Sequence, residues 1–318
     1  MNIRIAMDFY TLGATLYIPG NNKQLVDVAN KKKIHDLKSL VICTEDTISE
    51  HELPQTLDHI NESLYQFHEA NLYRFIRPRN PSVLEKILQM PAIHNVHGFV
   101  LPKVTMDNLK MYFSLLTSND PFKIMIILET AHVFNHHYMY KMRDMLTNPF
   151  YKERILAIRI GGLDMLNILG LRRSADNTIY DTPVGQCICQ LITIFKPAGF
   201  NLCAPAYEYL ENVNILRKEV EMDIQYGLFA KTAIHPNQIE TIQSMYKVCK
   251  KELETAHAIL DPSYPAVFRM HDSMCEKAIH WNWALGIIER YKHYGIAEEY
   301  VEDNFYEDRD RDYSGTKS

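Results

Sequence analysis

Eight short apolar, β-prone runs recur between Ala14 and Lys231, each ending in polar or turn-forming residues and most followed by a helix-like stretch. They end near Gly20, Glu45-Asp46, Arg77, Lys103, Glu129, Gly161–Asp164, Ala204-Pro205 and Lys231. Strands alternating with helical patterns imply parallel strands joined by crossover helices. Eight such units are what a closed (β/α)8 TIM barrel requires. In that architecture the chemistry sits at the carboxyl ends of the strands, so the run ends are the candidate site.

The predicted strands are Ala14–Ile18, Ser39–Cys43, Tyr73–Ile76, Phe99–Leu101, Lys123–Leu128, Ile155–Ile160, Asn201–Cys203 and Gly227–Ala230. The fifth, KIMIIL, is apolar after its first residue, as a strand buried on both faces should be. Pro78 and Pro81 close the third, since proline cannot donate to a ladder. Beyond the eighth run, Pro236–Leu260 reads as one long helix, Pro262 and Pro265 break it, and a further helix is expected from Met274 to Tyr294. The expected organisation is a barrel over 1–260 and appended C-terminal helices over 261–301. The charged, aliphatic-poor stretch 302–318 cannot offset its ordering entropy, so a disordered tail is expected there.

Composition narrows the class. With 47% hydrophobic residues in 318, the chain can bury a barrel-sized core. A net charge of −5 gives no footprint for nucleic acid. No apolar run approaches the roughly 20 residues that cross a bilayer, and MNIRIAMDFYTLG does not resemble a signal peptide. Six scattered cysteines suit reduced thiols. The expectation is a soluble, cytoplasmic protein with a small-molecule substrate.

Glu129 and Asp164 form the sharpest pair, at the ends of neighbouring strands where side chains face one mouth. Two carboxylates there could supply part of an oxygen shell for Mg²⁺. The local alternative is that each sits at a helix start, a place carboxylates favour. Arg77 ends the third run within RFIRPRNP, flanked by Arg74 and Arg79. It suits bidentate recognition of a substrate carboxylate, or equally a surface ion pair. Lys103 and Lys231 add two cations at the same rim. Pairing with a substrate phosphate or carboxylate is a simpler role for them than a Schiff base, which needs an apolar setting. Backbone N–H groups near Gly161 and Gly162 could help hold such a substrate. His132, His136 and His137 lie at helical spacing and read as solvated.

The segments TLYIPGN, TEDTI, FIRPRNP, GFVLPKV, MIILETA, RIGGLDMLNILGLRR and GLFAKTAIHPNQI occur in that order. They resemble the strand-end motifs of the HpcH/HpaI aldolase and citrate lyase β-subunit-like family, over about residues 12 to 240. The FIRPRNP form is similar to a branch of C–C bond lyases associated with tellurite-resistance gene clusters. The resemblance implies a Mg²⁺-dependent (or Mn²⁺-dependent) lyase or aldolase acting on a keto acid or hydroxyacyl-CoA thioester through a metal-stabilised enolate. It implies Glu129 and Asp164 as metal ligands, Arg77 as the carboxylate clamp, and Asp46 with Glu45 near the metal. Asp272, in FRMHDS, matches an aspartate that reaches a neighbouring subunit's barrel mouth as the base, which implies a homo-oligomer, a trimer being the first expectation. Read without the resemblance, Asp272 is the N-cap of the helix from Met274. Two positions depart from the pattern. Leu163 stands where relatives carry an acid, and Gly13 where many carry an arginine linked to CoA phosphate handling.

A second reading of another class stands beside this one: a barrel that has lost catalysis and serves as a binding or assembly subunit of a biosynthetic complex. Glu129 and Asp164 facing away from the mouth would favour it.

Overall fold

The computed structural model describes residues 7–68 and 71–297; the tail expected over 302–318 lies outside them. Eight parallel strands form one sheet: β1 (Thr15–Pro19), β2 (Ser39–Cys43), β3 (Tyr73–Arg77), β4 (Gly98–Leu101), β5 (Lys123–Leu128), β6 (Ile155–Ile160), β7 (Leu202–Cys203) and β8 (Thr232–Ala233). Their order is β7-β6-β5-β4-β3-β2-β1-β8. Cys203 bridges Phe229, just ahead of β8, so the sheet returns on itself as a barrel. Helices Leu25–Ala29, Leu53–Leu64, Pro81–Leu88, Met106–Ser114, His136–Leu146, Pro183–Phe195 and Val213–Gln225 connect successive strands, and Asn237–Met245 follows β8. This is the (β/α)8 barrel that the rhythm predicted.

Local chemistry explains the elements. All of β2 and all but the first residue of β5 are buried, because barrel strands face a side-chain layer inside and a helix layer outside. After β3, Asn80 accepts from the Val83 N–H at 3.0 Å, and Pro81 takes the first helical position, where its missing N–H is no loss. At the end of β1, a Cβ on Gly20 would stand 2.8 Å from Ile60 Cδ1 and 2.9 Å from Thr56 Cγ2, so any larger residue there would have to push those side chains aside.

The eighth strand differs from expectation. Ala230 adopts φ 56°, which kinks the chain inside the predicted Gly227–Ala230 run. Phe229 therefore meets β7, while Thr232 and Ala233 pair with Thr15 and Leu16 of β1.

The contacts divide the chain between Tyr246 and Lys247, ahead of the expected boundary at 260. The predicted Pro236–Leu260 helix is two helices, Asn237–Met245 and Lys250–Leu260, one on each side of that division. In the second unit, β9 (Val267–Met270) and β10 (Ser273–Glu276) form an antiparallel hairpin ahead of the helix Lys277–Tyr294. His271, at φ 51°, supplies the left-handed backbone that a two-residue hairpin turn needs. The helix expected from Met274 thus starts at Lys277, and Glu276, not Asp272, is its N-cap. Leu253, Ala256, Ile259, Cys275, Ala284 and Ile287 form this unit's own core.

Candidate active site

The carboxyl ends of the strands enclose a cavity of about 390 Å³ whose lining includes Asp46, Arg77, Glu129, Arg159 and the turn Gly161–Asp164. Glu129, the residue after β5, is buried, and its Oε1 accepts the backbone N–H of Lys103 at 2.7 Å. Burial first, and then the charge of Asp164, push the Glu129 carboxyl up from 4.5 to about 8, against the pull of the Lys103 N–H and Arg77. Gly161 makes the room: a Cβ there would lie 2.3 Å from Glu129 Cβ and 2.4 Å from its Oε2. Because Gly161 gives its own N–H to Leu128 O at 3.1 Å, it serves the site by space, not as a donor to substrate. Asp164 lies half-buried on the first turn of the helix Gly162–Ile168.

A buried carboxyl made costlier to ionise by a second carboxylate in the same cavity calls for a cation. Both are hard oxygen donors, and Mg²⁺ keeps several waters and needs only one or two protein carboxylates. The residues present fit Mg²⁺, and Mn²⁺ by the same donor chemistry.

Arg77 closes β3. Its Nη2 lies 3.0 Å from Glu45 Oε2, its Nε and Nη2 donate to Cys43 Sγ at 3.2 and 3.0 Å, and its guanidinium carbon sits 5.3 Å from the Tyr17 ring centroid. Burial opposes its charge, but the charges of Cys43 and Glu45 prevail and raise it above its ordinary value. Arg79 donates instead to the carbonyls of Thr44 (3.3 Å), Glu45 (3.2 Å) and Ile48, and so ties down the loop after β2. Of the two, Arg77 is the one that lines the cavity.

Lys103 and Lys231, the expected rim cations, are each paired with two carboxylates. Lys103 Nζ is 2.8 Å from both Glu45 Oε1 and Asp46 Oδ2. Burial alone would lower its pKa, but the bonds to those two carboxylates outweigh it and the net shift is upward. Burial likewise acts to raise Asp46, and the hydrogen bond and charge of Lys103 more than reverse it, so Asp46 is lowered. The ammonium of Lys103 is thus committed, and it is the backbone N–H of this residue that serves Glu129. Lys231 is completely buried, with Nζ 2.8 Å from Glu219 Oε1 and 2.9 Å from Asp223 Oδ2. Glu219 also pairs with Arg173, which reaches Glu208 at 2.5 Å. A lysine matched twice inside the wall has no charge to offer a substrate. Asp272 lies in the second unit at the hairpin turn, fully exposed and 3.1 Å from Arg269 Nη2.

The sequence reading missed Arg159, Tyr17 and Cys43, which all line the cavity. For Arg159 a signal existed: a charge in the middle of ILAIRI, an otherwise apolar strand.

The (β/α)8 fold thus brings the carboxylates of Glu129 and Asp164 and the arginines Arg77 and Arg159 together at one barrel mouth. Over residues 6–296 the chain matches the family model for C–C bond lyases of the TIM-barrel fold, and it belongs to that family. It is 21% identical over 278 residues to the mouse (Mus musculus) mitochondrial citramalyl-CoA lyase, covering 82% of this chain and 77% of that one. It is 24% identical over 117 residues to citrate lyase subunit beta of Haemophilus influenzae, covering 37% of this chain and 39% of that protein. The fold is similar to that of CitE from Mycobacterium tuberculosis, solved with magnesium, acetoacetate and coenzyme A. The TM-score is 0.64 at 15% identity, over 88% of this chain and 98% of CitE.

Proposed function

We propose that this protein is a Mg²⁺-dependent carbon–carbon bond lyase or aldolase acting on a keto acid or a hydroxyacyl-CoA thioester. The observation that carries this reading is the pair Glu129 and Asp164 in the same cavity as Arg77. Glu129 and Asp164 would hold Mg²⁺, which when bound polarises a carbonyl oxygen as a Lewis acid. Arg77, backed by the Tyr17 ring and fixed by Glu45, anchors the substrate carboxylate. Asp46 stays ionised and holds Lys103, whose N–H in turn orients Glu129. Gly161 leaves room for the Glu129 carboxylate in the turn, and Gly162 lets the turn pack against Ile179 and Pro205.

Proton transfer needs a further group. In this reading Asp272 provides it to a neighbouring subunit's mouth, which makes the working form a homo-oligomer, with a trimer the first expectation. The names of the relatives and the contents of the CitE crystal support CoA-thioester chemistry, whereas Leu163 and Gly13 depart from the pattern that goes with it. A cytoplasmic location belongs to the same reading; among the described residues no helix is long and apolar enough to cross a membrane. The alternative of a barrel without catalysis would be favoured by Glu129 and Asp164 facing away from the mouth, and both line the cavity.

The direct test is thermal melting with oxalate or oxaloacetate, with and without Mg²⁺. A rise that requires both ligand and metal is the expected result. No shift under any combination would overturn the proposal.

A further inference from the structure

Arg159 is the residue of this cavity that the proposed mechanism leaves unused. It projects from β6 and is 2% exposed, yet among the described residues none of its partners is a carboxylate. Nη2 donates to Thr232 Oγ1 at 2.7 Å and lies 3.4 Å from Ala230 O; Nη1 is 3.3 Å from Thr15 Oγ1, with only the sulfurs of Met125 and Cys203 near it at 3.6 and 3.7 Å. Nε, fully buried, has no hydrogen-bond partner among the described residues. Burial raises the Cys203 thiol, so that sulfur is not the missing anion.

The other arginines of the barrel set the contrast. Arg173 meets Glu208 and Glu219, and Arg77 meets Glu45. Arg74 likewise meets no carboxylate among the described residues, but it donates to the carbonyls of Ala29 (2.9 Å) and His68 (2.6 Å) and is not part of the cavity wall. Arg159 alone among these four combines burial, a cavity-lining position and an unsatisfied donor. An isolated buried charge is costly, and a guanidinium that retains an open N–H is a ready partner for a carboxylate.

Charge bookkeeping of the site points the same way. A divalent cation would neutralise Glu129 and Asp164, and Glu45 already faces Arg77. The charge of Arg159 then remains unmatched. Its guanidinium carbon lies 5.4 Å from the Tyr17 ring centroid, and that of Arg77 lies 5.3 Å from the same centroid. The two cations therefore share one aromatic side chain inside one small cavity. On the reading of this cavity as a keto-acid site, we propose that Arg159 forms a second anion subsite. It reads an acidic group on the substrate chain beyond the one held at Arg77 and the metal, so the enzyme prefers a keto diacid to a keto monoacid of equal length.

Calorimetric titration in saturating Mg²⁺ with two matched pairs tests this: 2-oxobutanoate against oxaloacetate, and 2-oxopentanoate against 2-oxoglutarate. In the unaltered protein at least one diacid should bind about tenfold or more tightly than its monoacid, the size expected for a charged hydrogen bond. Arg159→Met should erase that ratio while leaving monoacid affinity in place, and Arg159→Lys should keep only part of it. Arg77→Lys, by contrast, should weaken monoacids and diacids together. A purely structural role for Arg159 would move both ligands equally. If Arg159→Met does not fold, a ratio in Arg159→Lys equal to that of the unaltered protein overturns the subsite. Equal binding of monoacid and diacid by the unaltered protein overturns it while the keto-acid reading survives. Failure of every keto acid to bind with Mg²⁺ overturns both.

Discussion

The backbone N–H of Lys103 donates to Glu129 Oε1 at 2.7 Å, and Lys103 adopts φ 48° in the turn from which it does so. Lys103, two residues beyond β4, thus orients the carboxylate that follows β5, using the main chain. Its side chain meanwhile pairs with Glu45 and Asp46. The two roles separate by substitution. Lys103→Met should leave Mg²⁺ affinity unchanged, because the N–H remains, and loosen the rim loop that carries Asp46. Its cost in stability should be below about 1 kcal/mol, since the lysine is half exposed and such pairs contribute little. A large loss of Mg²⁺ affinity in this variant would count against the backbone role.

Removing either carboxylate should abolish Mg²⁺ binding and leave the barrel folded. Glu129→Gln relieves a buried acid of its repulsion with Asp164, so its metal-free form should melt no lower than the parent. Asp164→Asn should lower the Glu129 carboxyl part of the way towards its ordinary range, because burial, the larger cause of its rise, remains while the charge of Asp164 is gone. Calorimetry that finds Mg²⁺ binding undiminished in both variants would remove the metal assignment.

Metal binding should depend on pH with a defined sign. The folded, metal-free protein holds a proton on Glu129 up to about 8, whereas the unfolded chain releases it near 4.5. Glu129 therefore makes the metal-free protein less stable as pH rises through that window. Mg²⁺ has to displace the proton, so its apparent affinity should climb roughly tenfold per pH unit up to about pH 8 and then level off. An affinity that stays flat between about pH 6 and 8 would contradict a protonated Glu129.

Much of this was legible in the chain. β2, β5 and β6 have the predicted ends because each is a largely apolar run, Arg159 in β6 notwithstanding, that a barrel buries on both sides. Glu129, Asp164 and Arg77 were legible because strand ends in this fold converge. What was hidden depended on direction. Nothing in FAKTAIHP says that Lys231 meets Glu219 and Asp223, residues of a helix that precedes it. The hairpin Val267–Glu276 was hidden because its strands are short and half exposed, without the apolar runs that mark the barrel strands. The split of Pro236–Leu260 falls at Tyr246–Cys249, where neither proline nor glycine signals a break.

Lys231 should behave as a structural residue. Lys231→Met leaves Glu219 and Asp223 buried with one cation fewer, and breaking a buried pair costs about 3–5 kcal/mol. Burial already raises Asp223 from 3.8 to about 6 despite the charge of Lys231, and without that charge the rise should be larger. Thermal melting should fall markedly, while Mg²⁺ affinity of the folded fraction at low temperature stays the same. A normal melting point with weakened substrate binding would return Lys231 to the site.

Asp272 tests assembly and proton transfer together. It stands at the turn between β9 and β10, fully exposed, and its pair with Arg269 is solvated and weak. Among the described residues of its own unit nothing demands an acid there, since Glu276 caps the following helix. If Asp272 serves a neighbouring copy, Asp272→Asn should lose turnover and keep both Mg²⁺ affinity and melting temperature. A deletion from Pro262 onward, which removes the hairpin and the helix Lys277–Tyr294, should lose activity along with assembly. Mixing Asp272→Asn subunits with Glu129→Gln subunits should restore part of the activity, because some mouths then combine an intact Glu129 with a neighbour's Asp272. A fully active monomer, or mixtures no more active than either variant alone, would rule out transfer between subunits.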